Sequence, residues 1–355
     1  MTRRTFLSSA AALTLRASNR GPIPMGLNSY CLRAMKWNDK QLLDYAASLK
    51  LDALFLQDSL DPEAQVPAHW RYIKDYAANL GLHLETGGGA FLPKTPEDFD
   101  KSVRALRDGI ARASAMGSPL MRCLIASDRA HLPPGPVEQH IETAIKVLRA
   151  VRQPALDAGL KIAIENHKDL QAWETRMVIE GAGTEFVGSY LDTGNPVFVL
   201  ESPMTTLETL GPLAVTVHLR DSVVYEVPRG VAVQWVALGD GVIDFKTFLP
   251  RAREICPPVY IYIKPITGRP PEVLPYLEEG FWKTLPRARS ADLARFLALA
   301  KRGHPYEGRM VVEEIPGKPT EPGYADALRY QQKADMERSI DYAKRVLGLG
   351  VKWRA

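Results

Sequence analysis

The chain has 355 residues, of which 46% are hydrophobic, so it is long enough to bury one large core. Its formal net charge is +4. The first 19 residues contain three arginines and no acidic residue, so the charge without them is +1. A nearly neutral chain argues against a broad nucleic-acid-binding surface. No stretch contains the roughly 18 uninterrupted apolar residues of a membrane-spanning helix, so we expect no stable membrane span.

The first segment, residues 1–19, has the pattern of an export leader. The letters TRRTFL, from Thr2 to Leu7, place paired arginines before the short, weakly apolar stretch from Ser8 to Leu15. This order is typical of a twin-arginine signal segment, whereas the alternative is a disordered basic tail. We therefore expect residues 1–19 to direct export to the periplasm or another extracytoplasmic space, and residues 20–355 to form a single domain.

Eight apolar, strand-like runs follow, with helical patterns between them. The predicted strands are Met25–Tyr30, Ala53–Gln57, Leu82–Thr86, Leu120–Ile125, Lys161–Glu165, Val187–Asp192, Ala214–Leu219 and Val259–Lys264. Their apolar residues are continuous rather than alternating, which is typical of parallel strands covered on both faces. Strand and helix alternate along the chain, so the sequence predicts an α/β fold, a closed parallel (β/α)8 TIM barrel.

Two connections are longer than a minimal barrel requires. Val223–Leu238 follows the seventh predicted strand, and residues 266–310 follow the eighth as a predicted insertion. Loops that follow the strands of a barrel lie over its catalytic face. We therefore expect both segments to form walls or lids of a substrate pocket, with a contact in a homo-oligomer as the alternative.

Three consecutive predicted strands end in side chains that bind metal ions. Glu165, Asp192 and His218 follow one another at intervals of 27 and 26 residues, about one strand, one helix and two loops. Parallel strands with this spacing place their last residues side by side at the catalytic edge of a barrel. Two carboxylates and an imidazole at that edge predict a site for a divalent cation.

Four motifs around these residues carry a resemblance to a known family. They are IENH (Ile164–His167), LDTGN (Leu191–Asn195), VHLRD (Val217–Asp221) and LGDGVIDF (Leu238–Phe245). In this combination and order the chain resembles the sugar isomerase/epimerase superfamily with xylose isomerase-like barrels. The resemblance implies a Mn, Mg, Co or Zn ion held by a Glu, an Asp, a His and a second Glu from the last strand. It also implies that the two glutamates move the proton of a small carbohydrate substrate.

The fourth ligand position departs from this pattern. Glu165, Asp192 and His218 match the first three ligands, but Lys264 stands where the second glutamate is expected. A downstream run, residues 309–314, offers Glu313 instead. Spacing favours Lys264, which lies 46 residues after His218 against 95 for Glu313, and both alternatives remain open.

Further candidates lie at or near the predicted strand ends. We predict Glu165, Lys264 and His167 as catalytic residues, with Lys264 as a neutral base or as a proton donor to a leaving oxygen. The predicted substrate-binding residues are Glu85, Arg122, Asn166, Arg220 and Asp221, with Asn28 as a weaker candidate. The histidines without ligand spacing are expected on the surface: His69, His131, His140 and His304.

These candidates give one leading functional hypothesis and two alternatives. The first is a metal-dependent isomerase or epimerase that transfers a proton next to the carbonyl of a free or keto sugar. The second is a lyase or hydrolase that cleaves oxidised (3-keto) glycosides by β-elimination from the same enediolate. The third is a non-catalytic carbohydrate-binding barrel, which the lysine at position 264 suggests.

Overall fold

The predicted barrel is confirmed. The computed structural model describes residues 21–57, 59, 61, 64–311 and 321–355, and its central sheet is a closed barrel of eight parallel strands. The barrel strands are β1 Met25–Asn28, β2 Ala53–Leu56, β3 His83–Ala90, β4 Leu120–Leu124, β5 Lys161–Glu165, β6 Val187–Asp192, β7 Ala214–Leu219 and β10 Ile261–Ile263. The predicted leader and Glu313 lie outside the described residues.

The strand register brings the carboxyl ends of the central strands together. Asp192 on β6 pairs with His218 on β7, and His218 pairs with Tyr262 on β10. The barrel closes where Met25 on β1 pairs with Ile261 on β10. The last barrel strand has only three residues. It is shorter than predicted, so Lys264 lies immediately after the strand, with its amide held by the Leu219 carbonyl at 2.9 Å.

Helices cover the outside of the barrel. They are α1 Asp39–Ser48, α2 Pro67–Asn79, α3 Phe99–Ala115, α4 Val137–Arg149, α5 Arg152–Asp157, α6 Ala172–Ala182, α7 Pro203–Leu210, α8 Phe245–Ile255, α9 Ser290–Ala300 and α10 Pro322–Arg345. Their apolar faces and the outer faces of the strands form the main hydrophobic core. Local sequence explains where α1 begins, because the Asn38 side chain accepts the Gln41 amide at 2.9 Å as a helix cap. Within the described residues, none of the helices is both long and apolar enough to cross a membrane.

A small antiparallel sheet stands beside the mouth of the barrel. Strands β8 Asp221–Val227 and β9 Gly230–Val236 form a hairpin, and β11 Glu272–Leu274 pairs with β9. The two long connections predicted after the seventh and eighth strands supply these elements and α9. A second hydrophobic cluster holds them together: Val197, Phe198, Leu200, Val224, Val231, Val233, Leu274, Leu285, Phe296 and Leu299.

An aromatic layer fills the barrel interior. The His218 ring stacks on Tyr190 and Tyr262, with ring centroids 3.8 and 4.8 Å away, and meets the edge of Phe55 at 4.9 Å. These side chains come from β2, β6, β7 and β10 and are buried. The layer fills the barrel interior, so a ligand of the barrel itself is expected at its carboxyl end.

Candidate active site

A cavity of about 650 Å³ opens at the carboxyl end of the barrel. Its lining includes five cationic side chains (Arg122, Lys168, Arg220, Lys264 and Arg269) and two acidic ones (Asp128 and Glu272). Arg122, Arg220 and Lys264 are each less than 5% exposed and form its deepest part, which we call the cationic floor. The walls come from the loops after β4 and β5, from β9 and from residues 269–272.

Glu165 lies behind this floor with both carboxylate oxygens fully engaged. Its Oε2 accepts a hydrogen bond from Arg122 Nε at 2.6 Å and forms an ion pair with Nη2 of the same guanidinium at 2.5 Å. Its Oε1 accepts from Lys264 Nζ at 2.9 Å and from Asn195 Nδ2 at 3.0 Å. The side chain is buried, and it is not among the residues that line the cavity.

Asp192 forms the second anion of the cluster. Its Oδ2 accepts a hydrogen bond from Lys264 Nζ at 3.2 Å and forms an ion pair with Arg220 Nη2 at 3.0 Å. Its Oδ1 accepts from the backbone amides of Gly194 at 2.9 Å and Asn195 at 3.1 Å. The Lys264 ammonium therefore bridges the two carboxylates. The five charged groups together carry three positive and two negative formal charges.

The LDTGN and IENH motifs build this cluster. Asn166 donates to the Asp192 carbonyl at 2.9 Å and accepts the Asp192 amide at 2.8 Å, which locks the ends of β5 and β6 together. The amide of Asn195 ties Glu165 to the same turn. A Cβ on Gly194 would lie 2.6 Å from the Arg220 side chain, so glycine is needed there for Arg220 to reach Asp192.

The charges of the cluster shift the pKa values of its members. Burial alone would raise the pKa of Glu165, but the positive charges of Arg122 and Lys264 hold it well below its usual range. Burial lowers the pKa of Lys264, and the nearby Glu165 carboxylate opposes this change. Because the carboxylate is the favoured form of Glu165, the cluster is a set of ion pairs rather than a set of neutral groups.

His167 presents an uncharged imidazole to the cavity. Its Nδ1 lies 2.6 Å from the Ser127 carbonyl, which can only accept, so Nδ1 carries the proton and Nε2 has the lone pair. The ring lines the cavity. Burial and the neighbouring Arg122 and Lys264 charges lower its pKa to about 3, although Glu165 opposes them. Nε2 is therefore a hydrogen-bond acceptor at neutral pH.

The predicted metal ligands are not brought together as a metal site. Glu165, Asp192 and His218 are not among the described groups of ligands whose atoms lie within 4.8 Å of one another. The His218 ring lies in the aromatic layer, where its Nδ1 has no hydrogen-bond partner and its Nε2 is 3.5 Å from the Thr216 hydroxyl. The three residues therefore offer one imidazole nitrogen and two carboxylates whose oxygens already contact donor nitrogens. This set does not fit a divalent cation.

A different Asp-Asp-His group is present beside the barrel. Ligand atoms of Asp39, Asp61 and His69 lie within 4.8 Å of one another, at the start of α1, in the connection to α2 and in the first turn of α2. His69 Nε2 is 2.8 Å from Asp39 Oδ2 and 3.8 Å from Asp61 Oδ2. The Ser59 hydroxyl also bonds to Asp39 at 2.6 Å. The expectation of a surface position is wrong for His69 and for His140, which are 8% and 5% exposed.

Three predicted substrate-binding residues have structural partners and do not line the cavity. Asn166 locks the two strand ends, as described above. Glu85 is buried in the barrel interior, 3.3 Å from His83, and burial raises its pKa. Asp221 accepts the amides of Ser222, Gly239, Gly241 and Ile243 at 2.9 to 3.3 Å, so it anchors the LGDG loop. The weaker candidate, Asn28, is also buried and bonds to Gln57 at 3.3 Å.

Sequence reasoning selected the floor residues and predicted that the two long segments form a wall, but it assigned no contacts to the wall side chains. Trp235 donates to the Gly194 carbonyl at 2.9 Å and packs on Phe198, with ring centroids 5.0 Å apart. The Lys168 ammonium lies 4.7 Å over the Phe198 ring and pairs with Glu272 at 2.8 Å. Lys168 follows directly after the IENH motif, which was a usable signal. Glu272 lies in an insertion whose fold no local pattern predicted.

Comparison with known sequences and structures gives a consistent result. The family model described as "Xylose isomerase-like TIM barrel" matches residues 43–256. The uncharacterized protein YihM of Escherichia coli (strain K12) is 29% identical over 171 residues. That segment is 48% of this chain and 47% of YihM, so the chain spans about half the length of this curated relative.

Solved structures with the same barrel include proteins that act on sugars or bind a metal. The 3-keto-D-glucoside 4-epimerase YcjR from E. coli has a TM-score of 0.53 at 14% identity, covering 74% of this chain and 98% of that one. The IOLI protein with a bound zinc atom has a TM-score of 0.56 at 14% identity, covering 79% and 96%. At such identities these likenesses show a common fold.

Proposed function

This chain belongs to the xylose isomerase-like TIM barrel family, and on that premise we propose that it is an isomerase or epimerase acting on a free or keto sugar. Members of the superfamily are mostly sugar-modifying enzymes. The proposed reaction moves a proton at the carbon next to a carbonyl. The observation that carries the proposal is the cationic floor, three buried cations at the bottom of a cavity of about 650 Å³.

The cationic floor suits the intermediate of such a reaction. When the C–H bond next to a carbonyl breaks, its electrons move to the carbonyl oxygen and an enediolate forms. Donors already fixed in place stabilise that new negative charge without having to reorient. Arg122, Arg220 and Lys264 are fixed in this way, because Glu165 and Asp192 hold them at 2.5 to 3.2 Å.

His167 is the proposed proton acceptor in place of Glu165. Each Glu165 oxygen already has two donor nitrogens within 3.0 Å, and Glu165 does not line the cavity. His167 Nε2 faces the cavity with its lone pair available. Its low pKa makes it a weak base in the free protein, and the negative charge of the forming enediolate raises its affinity for the proton. Return of that proton to the other carbon, with transfer of the hydroxyl proton between the two oxygens, gives the isomer. Delivery of a solvent proton to the same carbon from the opposite face, with release of the His167 proton to water, gives the epimer.

A lyase is the second candidate, and Lys264 is the observation that favours it. An ammonium group on the floor can protonate a leaving oxygen, which converts the same enediolate into a β-elimination product. The Lys264 pKa is lowered by burial, which makes its proton easier to transfer. A 3-keto glycoside would then lose its aglycone instead of changing configuration.

One experiment tests the proposal against both alternatives. The purified chain is incubated in D₂O with a panel of ketoses, aldoses and 3-keto glycosides, and the products are followed by NMR. We expect solvent deuterium at the carbon next to the carbonyl, together with an epimer or isomer. Release of an aglycone would identify the lyase. Saturable binding of a sugar with no deuterium exchange would identify a carbohydrate-binding barrel.

A further inference from the structure

We infer that the Lys264 ammonium takes the place of the divalent cation that the resemblance to metal-dependent barrels implies, so that the Glu165–Asp192 pair binds no metal. The catalytic consequence, a reaction that needs no divalent ion, rests on the proposed function. The metal-binding consequence does not, because it concerns only the chain's own charged side chains and is measured without a substrate.

The first argument is that the oxygens of both carboxylates already contact donor nitrogens. Glu165 and Asp192 together accept six hydrogen bonds, three each, and each also forms an ion pair with an arginine Nη2; Lys264 Nζ lies between them at 2.9 and 3.2 Å. A metal ion would need carboxylate oxygens at roughly 2.0 to 2.2 Å and would have to displace the ammonium. The Lys264 backbone amide is held by the Leu219 carbonyl at 2.9 Å, which fixes the point from which the side chain extends.

The second argument is the sum of charges. In the site that the resemblance implies, a second glutamate and a divalent cation together contribute one net positive charge. A single lysine ammonium contributes the same. Lys264 stands where that glutamate is expected, so one residue replaces both the ligand and its ion, and Glu165 and Asp192 remain equally compensated. The two neighbouring arginines already make the cluster positive, and a further doubly charged ion would be repelled.

The third argument is the position of His218. An imidazole that binds the same ion as Glu165 and Asp192 must have a nitrogen close to both carboxylates. The His218 ring stacks instead between Tyr190 and Tyr262 in the barrel interior. The Lys264 Nζ lies 5.0 Å over the same Tyr190 ring, so the ammonium is also stabilised by an aromatic face.

Metal binding by the intact chain tests this inference directly. The wild-type protein and its Asp192→Asn variant are stripped with EDTA, dialysed against Mn²⁺ or Zn²⁺, and analysed for bound metal. We expect no ion whose binding depends on Asp192. About one ion per chain in the wild type that is lost in Asp192→Asn would overturn the inference. An ion that persists in Asp192→Asn and is lost in Asp61→Asn would sit at the Asp39–Asp61–His69 group and would leave the inference supported.

A gain-of-binding variant provides the complementary test. Lys264→Glu replaces the ammonium with a third carboxylate beside Glu165 and Asp192, so we expect it to take up about one Mn²⁺ per chain and to unfold at a higher temperature when Mn²⁺ is present. Lys264→Met, a charge-free control of similar length, should show neither effect. The double variant Lys264→Glu/Asp192→Asn should lose the ion again. Equal metal uptake by the Glu and Met variants would contradict the inference.

The effect of metal removal on enzyme activity provides a separate test. Once a sugar substrate has been identified, we expect EDTA to leave the wild-type rate of deuterium exchange unchanged. A rate that falls at least about tenfold with EDTA and returns with Mn²⁺ would overturn the inference while supporting the proposed function. If no sugar is turned over, the proposed function fails, and the metal analyses still decide the role of Lys264.

Discussion

At the scale of single residues, Glu165 is the anchor of the site rather than its base. Its carboxylate holds Arg122 and Lys264 in the cationic floor, and all of these groups are buried. Removing one partner of a buried ion pair leaves the others uncompensated, which is more costly than the pair itself is favourable.

This role predicts a large loss of stability in Glu165→Gln. A neutral amide cannot accept from four donors, so we expect the free energy of unfolding to fall by about 3 to 5 kcal/mol. Urea denaturation measures the change. Glu185→Gln is the matched control, since Glu185 pairs with Arg152 on the surface, and its unfolding midpoint should be almost unchanged. Equal behaviour of the two variants would refute the anchoring role.

His167 should matter for rate more than for binding. We expect His167→Gln to reduce kcat by about 10²- to 10⁴-fold with a small change in KM, because the proton acceptor is lost and the cationic floor remains. Steady-state kinetics on the substrate found by the deuterium screen measures this. His304→Gln, a change at an exposed histidine, should keep wild-type kinetics. A His167 variant with full kcat would exclude this residue as the base.

The lowered pKa of His167 also predicts a pH dependence of stability. Its pKa falls from 6.5 to about 3 on folding, so between these values the unfolded chain binds a proton that the folded chain does not. Stability from this group is therefore present above about pH 6.5 and decreases as the pH falls towards 3. The His167→Gln variant lacks this contribution. Its unfolding free energy should decrease less than that of the wild type over this range, as measured by urea denaturation at several pH values.

Prediction of single residues from the sequence was limited, because the role of a charged side chain depends on which other side chains surround it. Glu165, Asp192 and His218 were selected because each follows an apolar strand, and all three strands are present. Which charges surround a carboxylate depends on side chains from other strands. Arg122 on β4 and Lys264 after β10 reach Glu165 only because the barrel closes. The same closure places the His218 ring among aromatic residues, which its sequence position does not reveal.

At the scale of elements, the LGDG segment is a structural anchor. Asp221, at the start of β8, accepts amides on both sides of this loop and fixes the connection to α8. A Cβ on Gly241 would lie 2.1 Å from Asp221 Oδ1, so the loop can close on the carboxylate only with glycine at this position.

The anchor predicts a specific effect of Gly241→Ala. The added methyl group must displace Asp221 or the loop, and we expect a loss of about 1 to 3 kcal/mol in the free energy of unfolding, measured by urea denaturation. Gly280→Ala adds the same group where no atom lies within 4 Å, and it should leave stability nearly unchanged. Similar losses in both variants would indicate a general effect of removing glycine.

Element prediction succeeded where the hydrophobic pattern was continuous. The eight barrel strands were found from apolar runs, with errors at their ends. The sheet of β8, β9 and β11 was predicted only as long loops. The β8–β9 hairpin is local, and its valine-rich runs were a usable signal, whereas β11 has only three residues and pairs with β9 from the other insertion. Pairing over such distances leaves no local signal, yet it determines where Trp235 and Glu272 meet the cavity.

At the scale of the whole molecule, the cavity lining favours ligands with negative charge. Five cationic and two acidic side chains line it, and the deepest three are cations. A sugar hydroxamate, which mimics the enediolate, should therefore inhibit at least about tenfold more strongly than the alditol of the same length. Competition assays in 0.05 and about 0.5 M salt separate this local effect from general attraction, because buried charges are weakly screened. Equal inhibition by the two compounds would argue against enediolate stabilisation.

The presence of lysine at position 264, where the family resemblance predicts glutamate, has an evolutionary consequence. Codons for lysine and glutamate differ in their first base alone, so a single nucleotide change at this position exchanges an ammonium for a carboxylate. If the glutamate form also binds one divalent ion, the total charge of the cluster around Glu165 and Asp192 is the same in both forms. If the inference on Lys264 is correct, a metal-binding and a metal-free form of this site are separated by one mutational step.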